Sequence, residues 1–246
     1  MIFRQARRRA PGRSALLIYT TWDFGFCILS ALFRLLYRFR RHGMEHVPRE
    51  GPLIFVSNHQ SHLDPPMVGM AGVDRPHRGF ARSTLFNFKP FAWLIAVFGA
   101  IPLKQGEGDA AAFKIAIAEL EAGRSILIFP EGSRTRDGST RPFKRGVALL
   151  IKRSGATVQP VAIEGAYDVW RIGTKRPRLH GWIEVKAGRP ISAEELMRDG
   201  PDAALETLRR TVETLRLELR ASIRRRTSGR HPAPGPADGA YWESAS

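Results

Sequence analysis

Apolar residues in this chain fall in short runs, separated by polar turns and by stretches with helical spacing. That rhythm predicts strands alternating with helices. Leu53-Ile-Phe-Val-Ser57 reads as a short strand buried on both faces, and Ser125-Ile-Leu-Ile-Phe129 is the clearest strand of all. Further strands are predicted around Phe80 and Ala81, at Ile101-Pro-Leu103, over Val158 to Ile163 and over Trp182 to Ala187. Helices are predicted from Pro65 and Pro66 onward, over Phe91 to Phe98, from Asp109 to about Ala122 with Gly123 as the stop, and over Gly146 to Ser154. Leu205, Leu208, Val212, Leu215 and Leu219 step by three and four, which puts them on one face of a long amphipathic helix. Arg224, Arg225 and Arg226 close that helix at the negative end of its dipole. The expected architecture is α/β, a single domain over residues 43–226 with a largely parallel or mixed sheet flanked by helices. Residues 227–246, rich in Pro, Gly, Ala and Ser, read as a disordered tail.

Residues 1–42 form a distinct piece. Arg4, Arg7, Arg8, Arg9 and Arg13 precede an apolar stretch from Ala15 to Tyr37, and Arg34, Arg38, Arg40 and Arg41 close it. No small-residue cleavage site follows, so a secretory signal fits poorly. Asp23 and Arg34 interrupt the stretch and both flanks are positive, so a spanning helix fits poorly as well. The pattern predicts a membrane-interfacial helix or helical hairpin. In it Trp22, Phe24, Phe26, Phe33, Tyr37 and Phe39 enter the lipid boundary while arginines meet anionic headgroups. The expected location is the cytoplasmic face of the inner membrane. The bland alternative is an amphipathic helix packed on the domain.

The chain has 246 residues and a net charge of +16, from 39 basic and 23 acidic side chains. So basic a chain seeks anionic partners: nucleic acid, acidic lipid surfaces or phosphorylated substrates. The 32 arginines against 7 lysines are also what a GC-rich genome produces without functional demand. A single cysteine, Cys27, excludes an internal disulfide framework and a cysteine zinc cage.

Two stretches carry candidate chemistry. Asn58-His59-Gln60-Ser61-His62-Leu63-Asp64 follows the first buried strand, at the rim where α/β sheets place their sites. His59 is a neutral-pH base, and Asp64 either caps the following helix or fixes the imidazole tautomer. Phe129-Pro130-Glu131-Gly132-Ser133-Arg134 follows the clearest strand. Gly132 permits a tight turn with exposed amides, Arg134 suits a bidentate phosphate contact, and Glu131 can accept from a substrate hydroxyl. Arg136, Arg141, Lys144 and Arg145 concentrate positive charge close by. His59, His62 and Asp64 can also be read as metal ligands of a hydrolase, although no second His and carboxylate cluster follows. A basic non-catalytic module binding lipid or nucleic acid is the remaining alternative, and it gives no reason for the Glu131 turn.

Over Gly43 to Pro190 the sequence resembles the glycerolipid acyltransferases of the 1-acylglycerol-3-phosphate acyltransferase type. Four blocks occur in that family's order. His59-x4-Asp64 matches the motif the family uses as a catalytic dyad. Phe98-Gly-Ala-Ile-Pro-Leu-Lys104 resembles the second block, which usually ends in Arg where this chain has Lys104. Phe129-Pro-Glu-Gly-Ser-Arg-Thr135 resembles the third, with Ser133 and Thr135 exchanged relative to the usual form. Val158-Gln-Pro-Val-Ala-Ile163 resembles the fourth. The resemblance implies acyl transfer from acyl-CoA or acyl carrier protein to a lysophospholipid hydroxyl, with no cofactor, no metal and no nucleic acid. It implies His59 and Asp64 as catalytic residues and Lys104, Glu131, Gly132, Ser133, Arg134 and Lys144 as substrate-binding ones. Lys104 keeps the charge of the usual Arg without its bidentate geometry, and this leaves the acceptor open.

Overall fold

The computed structural model describes residues 11–243 except 15, 17, 72–74, 88 and 104–107. Arg4, Arg7, Arg8, Arg9 and Lys104 therefore lie outside the described residues. The chain opens with a π-helical stretch, Ile18–Gly25, that runs into helix α1, Phe26–Tyr37. There follow β1 (Arg40–His42), β2 (Leu53–Ser57), α2 (Asp64–Ala71), β3 (His77–Arg82), α3 (Lys89–Val97), β4 (Ile101–Leu103), α4 (Gly108–Glu121) and β5 (Ser125–Ile128). Then come α5 (Gly146–Ser154), β6 (Thr157–Glu164), α6 (Ala166–Val169), β7 (Glu184–Ala187), α7 (Ala193–Met197) and α8 (Pro201–Arg226).

The strands form one mixed sheet of seven in the order β1-β7-β6-β2-β5-β3-β4. From β6 to β4 all neighbours are parallel, while β7 runs antiparallel to β6 and β1 runs with β7. Pro160 marks the change of partner along β6. It offers no N–H, and the antiparallel pairing passes there from Ile191, opposite Val158, to β7, opposite Val161 onward. Strand pleating sorts the side chains of β2 into two cores. Leu53 and Phe55 join the core beneath α1 and α2, whereas Ile54 and Val56 join the core beneath α4, α5 and α8. The helical layers on both faces explain why β2 is apolar from Leu53 to Val56.

The N-terminal piece departs from the expectation. Trp22, Phe26, Phe33, Tyr37 and Phe39 are buried in the first core and do not face lipid. Their aromatic area is best removed from water against the sheet, where Trp22 meets His77 and Phe26 meets Phe98. Gly69 of α2 makes room for the Phe26 ring; a β-carbon there would sit 2.3 Å from its Cζ. Only Phe24 of the expected lipid-facing set is exposed. With Ile28, Leu32 and Leu35 it forms an outward apolar stripe, 66% exposed at Phe24 and 78% at Leu35. No helix among the described residues is long and apolar enough to cross a membrane.

The expected disordered tail also departs. Residues 227–243 fold back along α8: Ala237 and Ala240 are buried, Asp238 pairs with Arg220 and Arg224 at 2.7 Å, and the Arg209 guanidinium lies 3.3 Å from the centre of the Tyr241 ring. Composition gave no sign of this, because the partners are arginines on a helix face that a sequence reading assigns to solvent.

Candidate active site

Because β2, β5 and β6 are adjacent and parallel, the segments that follow them meet at one edge of the sheet. Asn58 comes first after β2. Its side chain donates to the Ile163 carbonyl at 2.9 Å and accepts from the Ile163 N–H at 2.8 Å, so it acts as a further rung of the sheet. His59 is then clasped from the β5 side. Its N–H donates to Glu131 Oε1 at 2.8 Å and its carbonyl accepts from the Thr135 N–H at 2.8 Å. With the backbone fixed at both ends, the imidazole has little freedom left. Phe129 stacks on the ring at 4.1 Å and 18°, which sets its plane.

Asp64 is fully buried and opens α2, as the two prolines behind it require. Its Oδ2 accepts three hydrogen bonds: from His59 Nδ1 at 2.8 Å, Gln60 N–H at 2.6 Å and Ser61 N–H at 2.7 Å. Anchoring of the loop and tautomer control are therefore one device: both amides precede Asp64, and none of the N–H groups of α2 donates to it among the described residues. A carboxylate oxygen only accepts, so Nδ1 carries the hydrogen and Nε2 keeps its lone pair. Nε2 has no protein partner among the described residues, and the His59 side chain is 19% exposed. This is a base with one nitrogen held and the other open to a substrate.

The β5 turn places its residues differently from one another. Glu131 is buried, and both its oxygens are engaged by backbone, Oε1 with His59 N–H and Oε2 with Arg141 N–H at 3.2 Å. Burial pushes its carboxyl up to about 8, against the opposing pull of those two amides. Gly132 has φ +70°, and a β-carbon would sit 2.4 Å from Cε of Lys144, whose chain crosses the turn. The exposed Lys144 ammonium thus lies over the Gly132 backbone. The Arg141 guanidinium donates to Ser133 Oγ. Arg134 is half-buried in the same turn. Glu131, Gly132, Ser133, Arg134 and Lys144 are brought together beside His59. His62 is not brought to Asp64; its exposed ring meets Trp170 at 5.1 Å. Among the described residues no group of three or more His, Cys, Asp or Glu is arranged to hold a metal ion.

Behind the loop that carries His59 and Asp64 lies a polar network that sequence reasoning missed. Gln60 Nε2 donates to Gly138 O at 3.1 Å and to Glu164 Oε2 at 3.3 Å. Glu164, at the end of β6, also accepts from Arg216 at 3.1 Å and Arg220 at 2.6 Å, and Arg216 reaches Glu213 at 2.8 Å. The sequence carried no signal for it, because Glu213, Arg216 and Arg220 lie off the apolar stripe of the C-terminal helix.

Comparison with known proteins agrees with this geometry. Residues 38–164 match the family model described as Acyltransferase. A chloroplastic 1-acyl-sn-glycerol-3-phosphate acyltransferase of Brassica napus is 28% identical over 152 residues, 61% of this chain and 44% of that protein. The mouse protein 1-acyl-sn-glycerol-3-phosphate acyltransferase alpha is 28% identical over 78% of this chain and 68% of its own length. A lyso-ornithine lipid O-acyltransferase of Pseudomonas aeruginosa is 33% identical over 49% of this chain and 46% of its own. The crystal structure of the 1-acyl-sn-glycerophosphate acyltransferase PlsC from Thermotoga maritima superimposes with a TM-score of 0.65 at 26% identity, over 80% of this chain and 79% of that one. The chain thus matches less than half the length of the plant and Pseudomonas relatives.

Proposed function

Since this chain belongs to the Acyltransferase family, we propose that it moves a fatty acyl group from an acyl thioester to the hydroxyl of a lysophospholipid, with 1-acylglycerol-3-phosphate as acceptor and phosphatidic acid as product. The observation that carries the reading is the His59–Asp64 pair, one imidazole nitrogen tied down at 2.8 Å and the other open at the sheet edge beside a cationic turn. The acceptor hydroxyl gives its proton to His59 Nε2 as its oxygen attacks the thioester carbonyl. Asp64 supports the imidazolium that forms. The carbon–sulfur bond then breaks, the thiolate takes the proton from Nε2, and ester and free thiol leave. Every proton move is supplied by His59, the transfer is redox-neutral, and no acyl-enzyme is formed. Arg134, Ser133 and Lys144 hold the acceptor's phosphate, with Gly132 permitting its close approach. Glu131 serves the site by holding the His59 backbone.

The outward stripe of Phe24, Ile28, Leu32 and Leu35 rests the domain on a lipid surface, where lysolipid substrates reside. Exposed Arg34 and Arg38 flank it and favour anionic headgroups. Trp93 of α3, the helix leading to Phe98, is a further exposed aromatic, 69% exposed.

The test is an assay of purified protein with lysophosphatidate and lyso-ornithine lipid, each with acyl-CoA and with acyl carrier protein as donor. Ester formation on lysophosphatidate is expected. Preference for lyso-ornithine lipid, which the Pseudomonas relative brings into play, moves the acceptor but keeps the reaction. No transfer to any lysolipid from either donor overturns the reading.

A further inference from the structure

The segment after β6 builds a second cationic site that the dyad and the β5 turn do not use. A cavity of about 290 Å³ is lined by Asp168, Val169, Arg171, Thr174, Arg176 and Arg178. Its walls are fixed by backbone bonds: Arg178 N–H donates to Val169 O at 2.9 Å, Thr174 N–H to Arg171 O at 3.3 Å, and the Trp170 indole to Thr174 O at 3.1 Å. Arg171 lies over the Tyr167 ring at 5.2 Å. Among the described residues none of these three guanidiniums ion-pairs or hydrogen-bonds with a protein acceptor, so their donors remain for a ligand. Asp168 is the one acidic lining group, and burial pushes its carboxyl toward the neutral form, against nearby Arg220, Arg171 and Arg178. Three guanidiniums against one carboxyl leave the cavity positive.

Its place in the fold gives it a role. β2 carries the dyad, β5 on one side delivers Arg134 and Lys144, and β6 on the other delivers this cavity. Contact with the dyad loop is direct, because Ser61 Oγ donates to Trp170 O at 3.0 Å and His62 meets the Trp170 ring. The proposed reaction brings two phosphorylated substrates to one base, and the β5 turn is already assigned to one of them. A thioester donor, whether acyl-CoA or acyl carrier protein, presents its acyl group on a phosphopantetheine arm.

We infer that the Arg171–Arg176–Arg178 cavity binds the phosphates of the acyl donor, leaving the β5 turn to the acceptor. This rests on the acyl-transfer reading. A fork of guanidiniums suits phosphate, which accepts bidentately.

The experiment compares wild type with Arg171→Ala/Arg176→Ala/Arg178→Ala in steady-state kinetics on detergent-dispersed lysophosphatidate. Lys152→Ala/Arg153→Ala/Arg189→Ala, which removes the same charge elsewhere on the exposed surface, is the control. The first triple variant should raise the donor KM by about tenfold or more, with acceptor KM within about twofold and kcat retained, as expected for lost charge-assisted contacts. The control should change neither. A rise with acyl-CoA alone assigns the cavity to the nucleotide phosphates, and a rise with both donors to the phosphate next to pantetheine. Either supports the inference. An unchanged donor KM, or a rise confined to the acceptor, overturns it. Calorimetric titration with coenzyme A and with phosphopantetheinylated carrier protein needs no turnover. Equal affinity of both donors for wild type and variant overturns the inference even if the protein transfers no acyl group, an outcome that would separately sink the proposed function.

Discussion

The backbone N–H of His59 donates to Glu131 Oε1 at 2.8 Å, so the residue bearing the base is held by a carboxyl that arrives 72 residues later on the neighbouring strand. A buried acid supports a base through the main chain and leaves the imidazole to Asp64.

Glu131→Ala leaves two part-buried N–H donors, of His59 and Arg141, without their acceptor, at up to about 1–3 kcal/mol each, and should lower kcat more than acceptor KM. The carboxyl's own titration gives a sharper check. Burial raises it from 4.5 to about 8, so the folded protein keeps a proton that the unfolded chain gives up. This contribution to stability is full below pH 4.5 and is lost as pH rises through 8. The stability advantage of wild type over Glu131→Gln, from denaturant titrations at pH 6 and pH 9, should therefore shrink at the higher pH. A gap that does not change with pH rules out a neutral Glu131.

His59→Ala should cut turnover by about 10²–10⁴-fold, the span of general-base assistance, with the melting temperature close to wild type. Asp64→Asn should be comparably slow and also less stable, since Oδ2 serves three donors. His62→Ala should retain most activity, because its ring meets Trp170 and not the dyad. Turnover of His59→Ala near the wild-type rate would remove His59 from the mechanism.

Arg216→Met tests the network behind the loop. It leaves Glu164 and Glu213 buried without their shared cation, at a cost of about 3–5 kcal/mol. Melting should fall by about 6–20 °C. Calorimetry decides, and a shift under a degree or two means that Arg220 alone suffices for Glu164. Truncation after Gly229 removes Asp238 and Ala237 and should destabilise in the same direction.

Much of this was legible in the sequence. The strands at Leu53 and Ser125 are legible because burial on both faces makes Leu53 to Val56 and Ile126 to Ile128 continuous apolar runs. The helix over Gly146–Ser154 appears as spaced, closed by Gly155 in the left-handed conformation. The pairing of His59 with Asp64 comes from the match to the family's His-x4-Asp motif; the residues alone leave Asp64 as helix cap or as partner of the imidazole. What could not be read is what depends on distant partners. Glu131 looked like a substrate contact until β5 placed it under His59. Trp22 and Phe26 looked lipid-facing because an aromatic at a membrane boundary and an aromatic in a core have the same composition. Glu164, Arg216 and Arg220 became a cluster only when α8 crossed β6. Charges from residues over 50 positions apart leave no local pattern.

Leu32→Glu with Leu35→Glu should weaken binding to anionic vesicles while leaving the fold intact, since both side chains point outward. Co-sedimentation should show the loss at low and high salt alike, because the apolar share of binding is not screened. Vesicle binding equal to wild type would place the lipid contact elsewhere. Deleting residues 1–41 is a poor substitute for this test, because it removes Trp22, Phe26, Phe33, Tyr37 and Phe39 from the core.

Burial of this segment bears on how such a protein can change over generations. The helix from Phe26 to Tyr37 packs one side onto Gly69, in the same helix that Asp64 begins, and turns the other side outward. Ile28 and Leu35 lie outside the core and can vary without disturbing it. The segment cannot be traded for an unrelated tether without rebuilding the support of Asp64. Under the proposed lipid contact, adaptation to a new membrane is thus confined to one stripe of residues, and that contact is inherited together with the protein's interior.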